Sequence, residues 1–308
     1  MSGSRTVVSG ATGLVGRPLV TRLLDAGGAV TALTRDLAAG AGALDGRALL
    51  ARWDGLRVEP EVLEGATAVV HLAGEPVFAG PLTAKRRRRI FASRVESAQS
   101  MVEALGRLPA ERRPAVLVCA SAVGYYAPAG DTRLAEGAAS GTGFLAEVCR
   151  AWERAAAGAE ALGVRRVSLR IGIVLSREGG ALPRLALPFR LGLGGRLGDG
   201  RQWVPWIDRD DLVALTAAAL SDERYRGALN AVAPNPLTNA ELSRAVARAL
   251  RRPSLLPVPG FAIRTAFGGL ADELLGSRRV VPQRALELGF RFATERAEDV
   301  LARELGAS

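Results

Sequence analysis

The sequence predicts an α/β fold, a doubly wound parallel sheet with a smaller C-terminal α/β region on the substrate side. Three observations carry this. The apolar run Thr6-Val-Val-Ser9 feeds directly into Gly10-Ala-Thr-Gly13-Leu-Val-Gly16. A helical pattern of Val15, Leu19 and Leu23 follows at once. Short apolar runs then alternate with helical segments to about residue 175, the rhythm of strands joined by crossover helices.

A strand ending at Ser9 lets the glycines turn tightly, bring bare backbone against a pyrophosphate and aim the next helix N-terminus at its charge. Gly10, Thr12, Gly13, Leu14, Val15 and Gly16 are therefore candidate dinucleotide contacts. Gly27-Gly28 stops the helix before a second strand, Ala29–Leu33, completing a βαβ unit. At the end of that strand an acidic residue would bond the ribose 2′-hydroxyl of NAD, whereas an arginine accommodates the 2′-phosphate of NADP. The chain has Thr34-Arg35 there, which points to NADP(H); Asp36, two places beyond Thr34, keeps NAD open.

A third strand is expected at Ala48–Ala51 before Arg52-Trp53-Asp54, and a fourth at Thr67–His71 before Leu72-Ala73-Gly74-Glu75. A fifth, Ala115–Ala120, precedes Ser121-Ala-Val-Gly-Tyr125-Tyr126, and a helix from about Thr142 to Leu162 leads to a sixth, Arg166–Arg170. Ligands in such sheets bind beyond the carboxyl ends of the strands, here Asp54, Leu72, Ala73, Gly74, Ala120, Ser121, Ile171 and Gly172. Residues 1–175 form the expected nucleotide-binding core, to which about 204–233 return; 176–203 and 234–308 form the substrate-side and C-terminal domain.

At 308 residues and 48% hydrophobic content the chain can bury a large core. It has no apolar run long enough for a membrane span and no signal-peptide pattern, so a cytoplasmic protein without membrane contact is expected, as monomer or homodimer. Cys119 and Cys149 fall in a strand and a helix, as reduced packing residues do, and no metal-ligand cluster stands out. The net charge is +10, and Lys85-Arg-Arg-Arg-Arg89 is the densest basic run. It lacks interleaved aromatics and opens a helix whose Phe91, Val95, Ala98, Val102 and Leu105 form a core-facing stripe. Its charges are expected to face water, with no nucleic-acid partner.

These pieces resemble the extended short-chain dehydrogenase/reductase superfamily, the NAD(P)-dependent epimerases and dehydratases, over almost the whole chain. On that resemblance Gly10–Gly16 is the phosphate turn, Val70–Gly74 lies beside the cofactor's ribose and pyrophosphate, Asp54 contacts the adenine and Ser121 hydrogen-bonds the reacting oxygen. A narrower set is similar to an atypical branch, the uncharacterised "epimerase family protein" group with a C-terminal domain of unknown function. It comprises Glu75-Pro76, Lys85 with Ser93-Arg94-Val95, Ser121–Tyr126, Gly192–Gly195, Gly200–Trp203 and Asn230–Pro236. The C-terminal domain would span about residues 250 to 305, including Arg278–Pro282.

The superfamily's Tyr-x-x-x-Lys proton-handling pair is absent. Four places after Tyr125, Tyr126 and Tyr225 stand Ala129, Gly130 and Leu229, and Lys85 is the only lysine. A carbonyl oxygen gaining a hydride still needs a proton source. Tyr125 or Tyr126 is the candidate, with Lys85 as a positive neighbour that would lower a phenol pKa or anchor substrate. His71 at the end of a central strand reads as a buttress of the cofactor loop. Glu75, Arg94, Gln202 and Trp203 are candidate substrate anchors, and Phe189, Trp203 and Trp206 candidate apolar walls. The expected family histidine is missing from Trp206-Ile-Asp208-Arg-Asp-Asp211.

Three functions remain open from sequence. One is an NADP(H)-dependent oxidoreductase or epimerase of a small carbonyl or hydroxyl compound. The others are a cofactor-binding regulatory or scaffold protein without turnover, and a nucleotide-sugar epimerase holding NAD.

Overall fold

A computed structural model of the chain describes residues 3–306, apart from the side chains of residues 266 and 267. Its centre is a seven-stranded all-parallel sheet: β1 (Arg5–Ser9), β2 (Ala29–Thr34), β3 (Leu49–Arg52), β4 (Ala68–His71), β5 (Val116–Ala122), β6 (Arg165–Ile171) and β7 (Gly227–Ala231). The spatial order is β7-β6-β5-β4-β1-β2-β3. Strand succession therefore reverses between β1 and β4, paired from Thr6 opposite Ala68 to Ser9 opposite His71. The crevice beyond their carboxyl ends is the place for a ligand.

Alternation along each strand explains how both faces are covered. Val8, Val70 and Val118 enter a core with Leu19 of α1 (Gly16–Asp25) and Leu212 of α7 (Arg209–Ser221). Their neighbours Val7, Val69 and Leu117 face the other way, onto Met101 and Leu105 of α4 (Ser97–Arg107). α2 (Leu37–Ala43) lies beside β2 and β3. On the second face α5 (Phe144–Ala157) brings Trp152 and Ala156 against Cys119 and Ala120. Both cysteines are buried and free.

One detail adds to the sequence reading, which had elements of about 204–233 return to the core, and one differs from it. The sheet has a seventh strand, whose Gly-Ala-Leu-Asn-Ala lacks a β-branched run; it is held by its ladder to β6 and by the Asn230 side chain, which donates to Val281 O at 2.9 Å. The helix opened by the basic run is also not continuous. α3 (Ala84–Phe91) passes into a π-helical turn, Ala92–Glu96, before α4. The wider turn shifts the phase of the apolar stripe, so that Ile90 is buried and Phe91 is 37% exposed, while Val95, Ala98 and Leu105 stay inside. Lys85, Arg87, Arg88 and Arg89 are exposed.

After β6 the chain builds a smaller layer. α6 (Leu182–Arg190), α8 (Asn239–Ala249) and α12 (Ala297–Leu305) enclose a second core with Phe189 and Trp206. Between them run α9 (Gly260–Phe267), α10 (Ala271–Leu275) and α11 (Gln283–Glu287). Two-stranded pairs stitch this layer to the large sheet's loops: Arg279–Val280 runs parallel to Arg133–Leu134, and Ile173–Leu175 parallel to Trp206–Asp208. Among the described residues no helix is long and apolar enough to cross a membrane.

Candidate cofactor and substrate site

The glycine turn is built by close approach. Gly10 has φ +70, and a Cβ there would stand 2.9 Å from Ala73 N and Leu72 C, so bare backbone lets β1 and the loop after β4 touch. At Gly16 a Cβ would lie 2.1 Å from Gly10 O. Glycine thus presses α1 onto the turn, while Thr12 and Gly13 remain exposed. α1 begins with no side-chain cap and no acid in its first turn; Arg17 and Leu19 N–H donate back to Gly13 O and Val15 O and Pro18 has none, so in that turn the Gly16 N–H is the helix donor open to an anion. The cradle fits a pyrophosphate. A loop of the smaller layer closes on it: Glu178 pairs with Arg17 at 2.9 Å and Arg209 at 2.6 Å, beside Gly179 and Gly180 packed near Leu14.

At the ribose end, Asp36 is already engaged. Its Oδ1 accepts from Ala39 N at 3.0 Å as the N-cap of α2, and its backbone carbonyl accepts from Thr34 Oγ1 at 3.0 Å. Arg35 is exposed and makes no ion pair among the described residues. Asp54 Oδ1 accepts from the backbone N–H groups of Leu56 and Arg57 at 2.7 and 2.8 Å, fixing the turn after β3 beneath that arginine.

His71 is fully buried at the end of β4. Its Nδ1 lies 2.7 Å from Ser9 Oγ and its Nε2 3.0 Å from Ser97 Oγ. Burial pulls its pKa from 6.5 to about 4, so it is neutral near pH 7 and braces β1 and β4 against Ser97, where the π-helical turn passes into α4. The same turn places Arg94, whose guanidinium would lie 3.2–3.4 Å from a Cβ at Gly74 and sits 5.4 Å from the Trp152 ring centroid. Glu75 pairs with Arg89 at 2.8 Å, and its N–H donates to Ser93 Oγ.

Beyond β5 lies a buried polar network. Ser121 Oγ donates to Glu153 Oε1 at 2.7 Å. Glu153 is gripped at both oxygens by Arg170, from Nε at 2.8 Å and Nη2 at 2.9 Å. Arg170 Nη1 donates to Tyr126 Oη at 2.7 Å, and Tyr126 Oη donates to Asn230 Oδ1 at 2.7 Å. The Arg170 guanidinium stacks 3.5 Å from the centre of the half-buried Tyr125 ring.

This corrects the reading of Tyr126. It is 1% exposed, both its hydrogen-bonding directions are taken, and burial raises its pKa to about 12. It is a pillar of the network rather than a group a substrate can meet. Lys85 stands exposed on α3, with no hydrogen bond to Ser121 or Tyr125. Phe189 and Trp206 belong to the second core, Trp206 Nε1 donating to Asn235 O, so they do not wall a pocket. Gln202, 5% exposed, donates from Nε2 to Leu197 O and Leu274 O as a brace. Trp203 is partly exposed, bonded to Asp131 at 2.7 Å and stacked under Arg279. At the end of β6 a Cβ on Gly172 would strike Pro205 O at 2.8 Å, which keeps Ile171 and Gly172 close under the smaller layer. Among the described residues no group of three or more His, Cys, Asp or Glu is placed to hold a metal ion.

Three site residues escape the sequence reading. Glu153 and Arg170 are charges within apolar patterns, on α5 beside Trp152 and in β6 beside Leu169, and that misplacement was their signal. Glu273 carried none. It stands on α10 with Oε2 3.6 Å from where a Cβ of Gly124 would be, and Oε1 3.3 Å from Arg278 Nη2. Arg278 is anchored in turn on Tyr126 O at 2.8 Å. Burial raises the Glu273 pKa from its ordinary value, with Arg278 opposing the shift.

A parallel sheet with a glycine cradle at its switch point and a polar cluster beyond β5 defines an NAD(P)-binding Rossmann protein. The chain belongs to the NAD dependent epimerase/dehydratase family, which residues 6–231 match, and residues 258–304 match a domain of unknown function, DUF1731. It is 39% identical over 299 residues to the chloroplastic epimerase family protein SDR39U1 homolog of Arabidopsis thaliana, covering 96% of this chain and 84% of that one. It is 36% identical over 295 residues to human epimerase family protein SDR39U1, covering 94% and 95%. The crystal structure of that human protein (isoform 2) with NADPH superposes with a TM-score of 0.84 at 30% identity, covering 98% of this chain and 99% of that one. A nucleoside-diphosphate sugar epimerase from Corynebacterium glutamicum superposes at 0.78 with 34% identity, over 99% of this chain and 59% of that one.

Proposed function

We propose that the chain is an NADP(H)-dependent oxidoreductase or epimerase of the extended short-chain dehydrogenase type, acting on a small carbonyl or hydroxyl compound. The observation that carries the choice of cofactor is the division of labour after β2: Asp36 is consumed as a helix cap, whereas Arg35 is exposed and unpaired. A dianionic 2′-phosphate answers that unpaired cation, and NADPH is the cofactor in the human relative's structure. Gly10, Thr12, Gly13, Leu14, Val15 and Gly16 would hold the pyrophosphate and Thr34 and Arg35 the ribose phosphate. Asp54 would lie at the adenine, with Leu72, Ala73, Gly74, Ala120, Ile171 and Gly172 along the nicotinamide half. Bound there, the reduced nicotinamide supplies a hydride for a carbonyl carbon. Ser121, set by Glu153, orients the carbonyl oxygen, and Arg94 and Glu75 line the approach from the π-helical turn.

The test is titration of cofactor-stripped protein with NADPH and NADH, read by nicotinamide fluorescence. NADPH is expected to bind at least tenfold more tightly than NADH, and Arg35→Ala to remove most of that preference, since a charged hydrogen bond contributes roughly 1.5–3 kcal/mol. Equal affinities in the unmodified protein would refute the assignment. A second reading, a cofactor-binding protein without turnover, draws on Tyr126 being sealed and Lys85 lying apart from Ser121. Stoichiometric NADPH binding with no oxidation across a carbonyl panel would favour it.

A further inference from the structure

The smaller layer's Glu273 reaches the turn that follows Ser121, and this placement has a chemical reading. In the superfamily the proton-handling pair occupies i and i+4 in the segment that here forms α5. On α5 the i, i+4 residues that meet the loop after Ser121 are Leu145 and Cys149. Leu145 Cβ is 3.7 Å from where a Cβ of Gly124 would be, and the Cys149 sulfur lies within hydrogen-bonding reach of the Ala122 backbone. Neither side chain can donate a proton usefully near pH 7, because Leu145 has none and burial pushes the Cys149 thiol up to about 12. The position beside Gly124 is instead filled by a carboxyl group from 149 residues further along the chain, the separation of Gly124 and Glu273.

We propose that Glu273, donated by the C-terminal layer, is the catalytic acid that stands in for the missing tyrosine. This rests on the oxidoreductase reading above. Reduction adds a hydride at the carbonyl carbon, from the reduced nicotinamide of the proposed cofactor, and a proton at oxygen. Glu273 gives that proton: its O–H bond breaks as the substrate's O–H bond forms, the carbonyl π pair becoming the new bond. The carboxylate left behind is stabilised by Arg278 at 3.3 Å and regains its proton from water, since a fifth of the side chain remains exposed. In the oxidative direction the carboxylate takes the proton.

Two arrangements support the assignment. Arg278 is 6% exposed, and its Nε bond to Tyr126 O ties Glu273 to the Ser121–Glu153–Arg170–Tyr126 network rather than to solvent. Gln202, 5% exposed, donates to the carbonyl of Leu274, the residue after Glu273, so the helix carrying the acid is braced by the segment just before Trp203. A carboxyl serving only as a surface ion-pair partner needs neither device, as Asp272 shows: it pairs with Arg264 with both side chains mostly exposed.

The charged and titratable groups that face Glu273 are Arg278 and Asp272 from its own region and Cys149 from α5, which is itself flanked by Glu153 and Arg94. Burial pushes the Cys149 thiol up to about 12 and raises Glu273 from its ordinary value, so Glu273 is the group beside Gly124 whose proton the test follows.

The experiment uses the full chain with NADPH bound, after an isotherm has established binding; failure of that isotherm refutes the cofactor reading itself. Nicotinamide fluorescence is followed from about pH 5 to pH 9, where ordinary carboxyls, with pKa near ~4.3, no longer titrate. A transition is expected in the unmodified protein and in Asp272→Asn, displaced but present in Glu273→Asp, and absent in Glu273→Gln. In parallel, NADPH consumption with phenanthrenequinone as carbonyl probe is expected to fall about 100-fold or more in kcat for Glu273→Gln, with KM little changed and Glu273→Asp partly active. Persistence of the transition in Glu273→Gln, its absence from an NADPH-bound unmodified protein, or an unchanged kcat in Glu273→Gln would each overturn the proposal.

Discussion

Acid is expected to weaken this fold at His71 between pH 7 and pH 5. Ser97 Oγ donates to Ser93 O at 2.8 Å, so its remaining role toward His71 is to accept, which places the ring proton on Nε2. Nδ1 is then an acceptor for Ser9 O–H, and Ser9 Oγ accepts from Ala73 N–H at 3.4 Å. Charging the imidazole puts a second proton on Nδ1, opposes the Ser9 bond and places a cation where no acid is within contact. Its folded pKa falls from 6.5 to about 4 for that reason.

The unfolded chain therefore binds a proton on His71 below about pH 6.5, whereas the folded chain does so only near 4. Stability is complete above the unfolded value and is lost as pH falls toward the folded one. At 1.36 kcal/mol per unit, the full difference of ~2.5 units is about 3 kcal/mol, of which roughly 2 kcal/mol is lost between pH 7 and pH 5. Urea unfolding at those two pH values measures it. The unmodified protein should lose about 2 kcal/mol more than His71→Gln, which lacks the titration though it starts less stable. Parallel losses in the two proteins would show that the imidazole is not held neutral by burial and would refute the argument. Because the same network sets Ala73 against Gly10, NADPH affinity is expected to weaken in the same window.

The remaining predictions divide the site into its parts. Asp36→Ala removes the cap of α2 and should lower stability by about 1 kcal/mol while leaving the preference for NADPH over NADH intact, as a pair of binding isotherms and a melt will show. If the preference inverts or vanishes instead, Asp36 rather than Arg35 reads the ribose. Glu153→Gln unpairs Arg170 and frees Ser121; urea unfolding should report a loss of about 3 kcal/mol, and retained stability would mean the network is worth no more than an exposed pair. Tyr126→Phe should cost roughly 1–3 kcal/mol by orphaning the Asn230 carbonyl oxygen, with no loss of turnover beyond that of stability.

What was legible in the chain and what was not follows from the range of the interactions. The cradle could be read because its parts are neighbours: β1, the three glycines and α1 occupy Arg5–Asp25, and the contact that needs Gly16 is with Gly10 six residues away. Burial on both faces gave the central strands apolar runs dense enough to recognise. Within the stretch about 204–233, β7 could not be marked out singly, because Asn230 contributes a side-chain amide to a loop 51 residues later rather than an apolar surface. The stripe on the basic helix was read one residue out of phase at Phe91, since a π-helical turn leaves no mark in spacing counted at a constant period. Tyr126 failed for a deeper reason. A tyrosine after Ser121 looks reactive until Asn230, 104 residues on, and Arg170, 44 residues on, take its hydroxyl. The groups that claim that hydroxyl and the carboxyl that approaches Gly124 come from separate elements brought together by the sheet and the C-terminal layer. The glycine motif is therefore readable from neighbours in sequence, whereas the surroundings of Ser121 and Gly124 are set by long-range packing, and the proposed acid belongs to the C-terminal region for that reason.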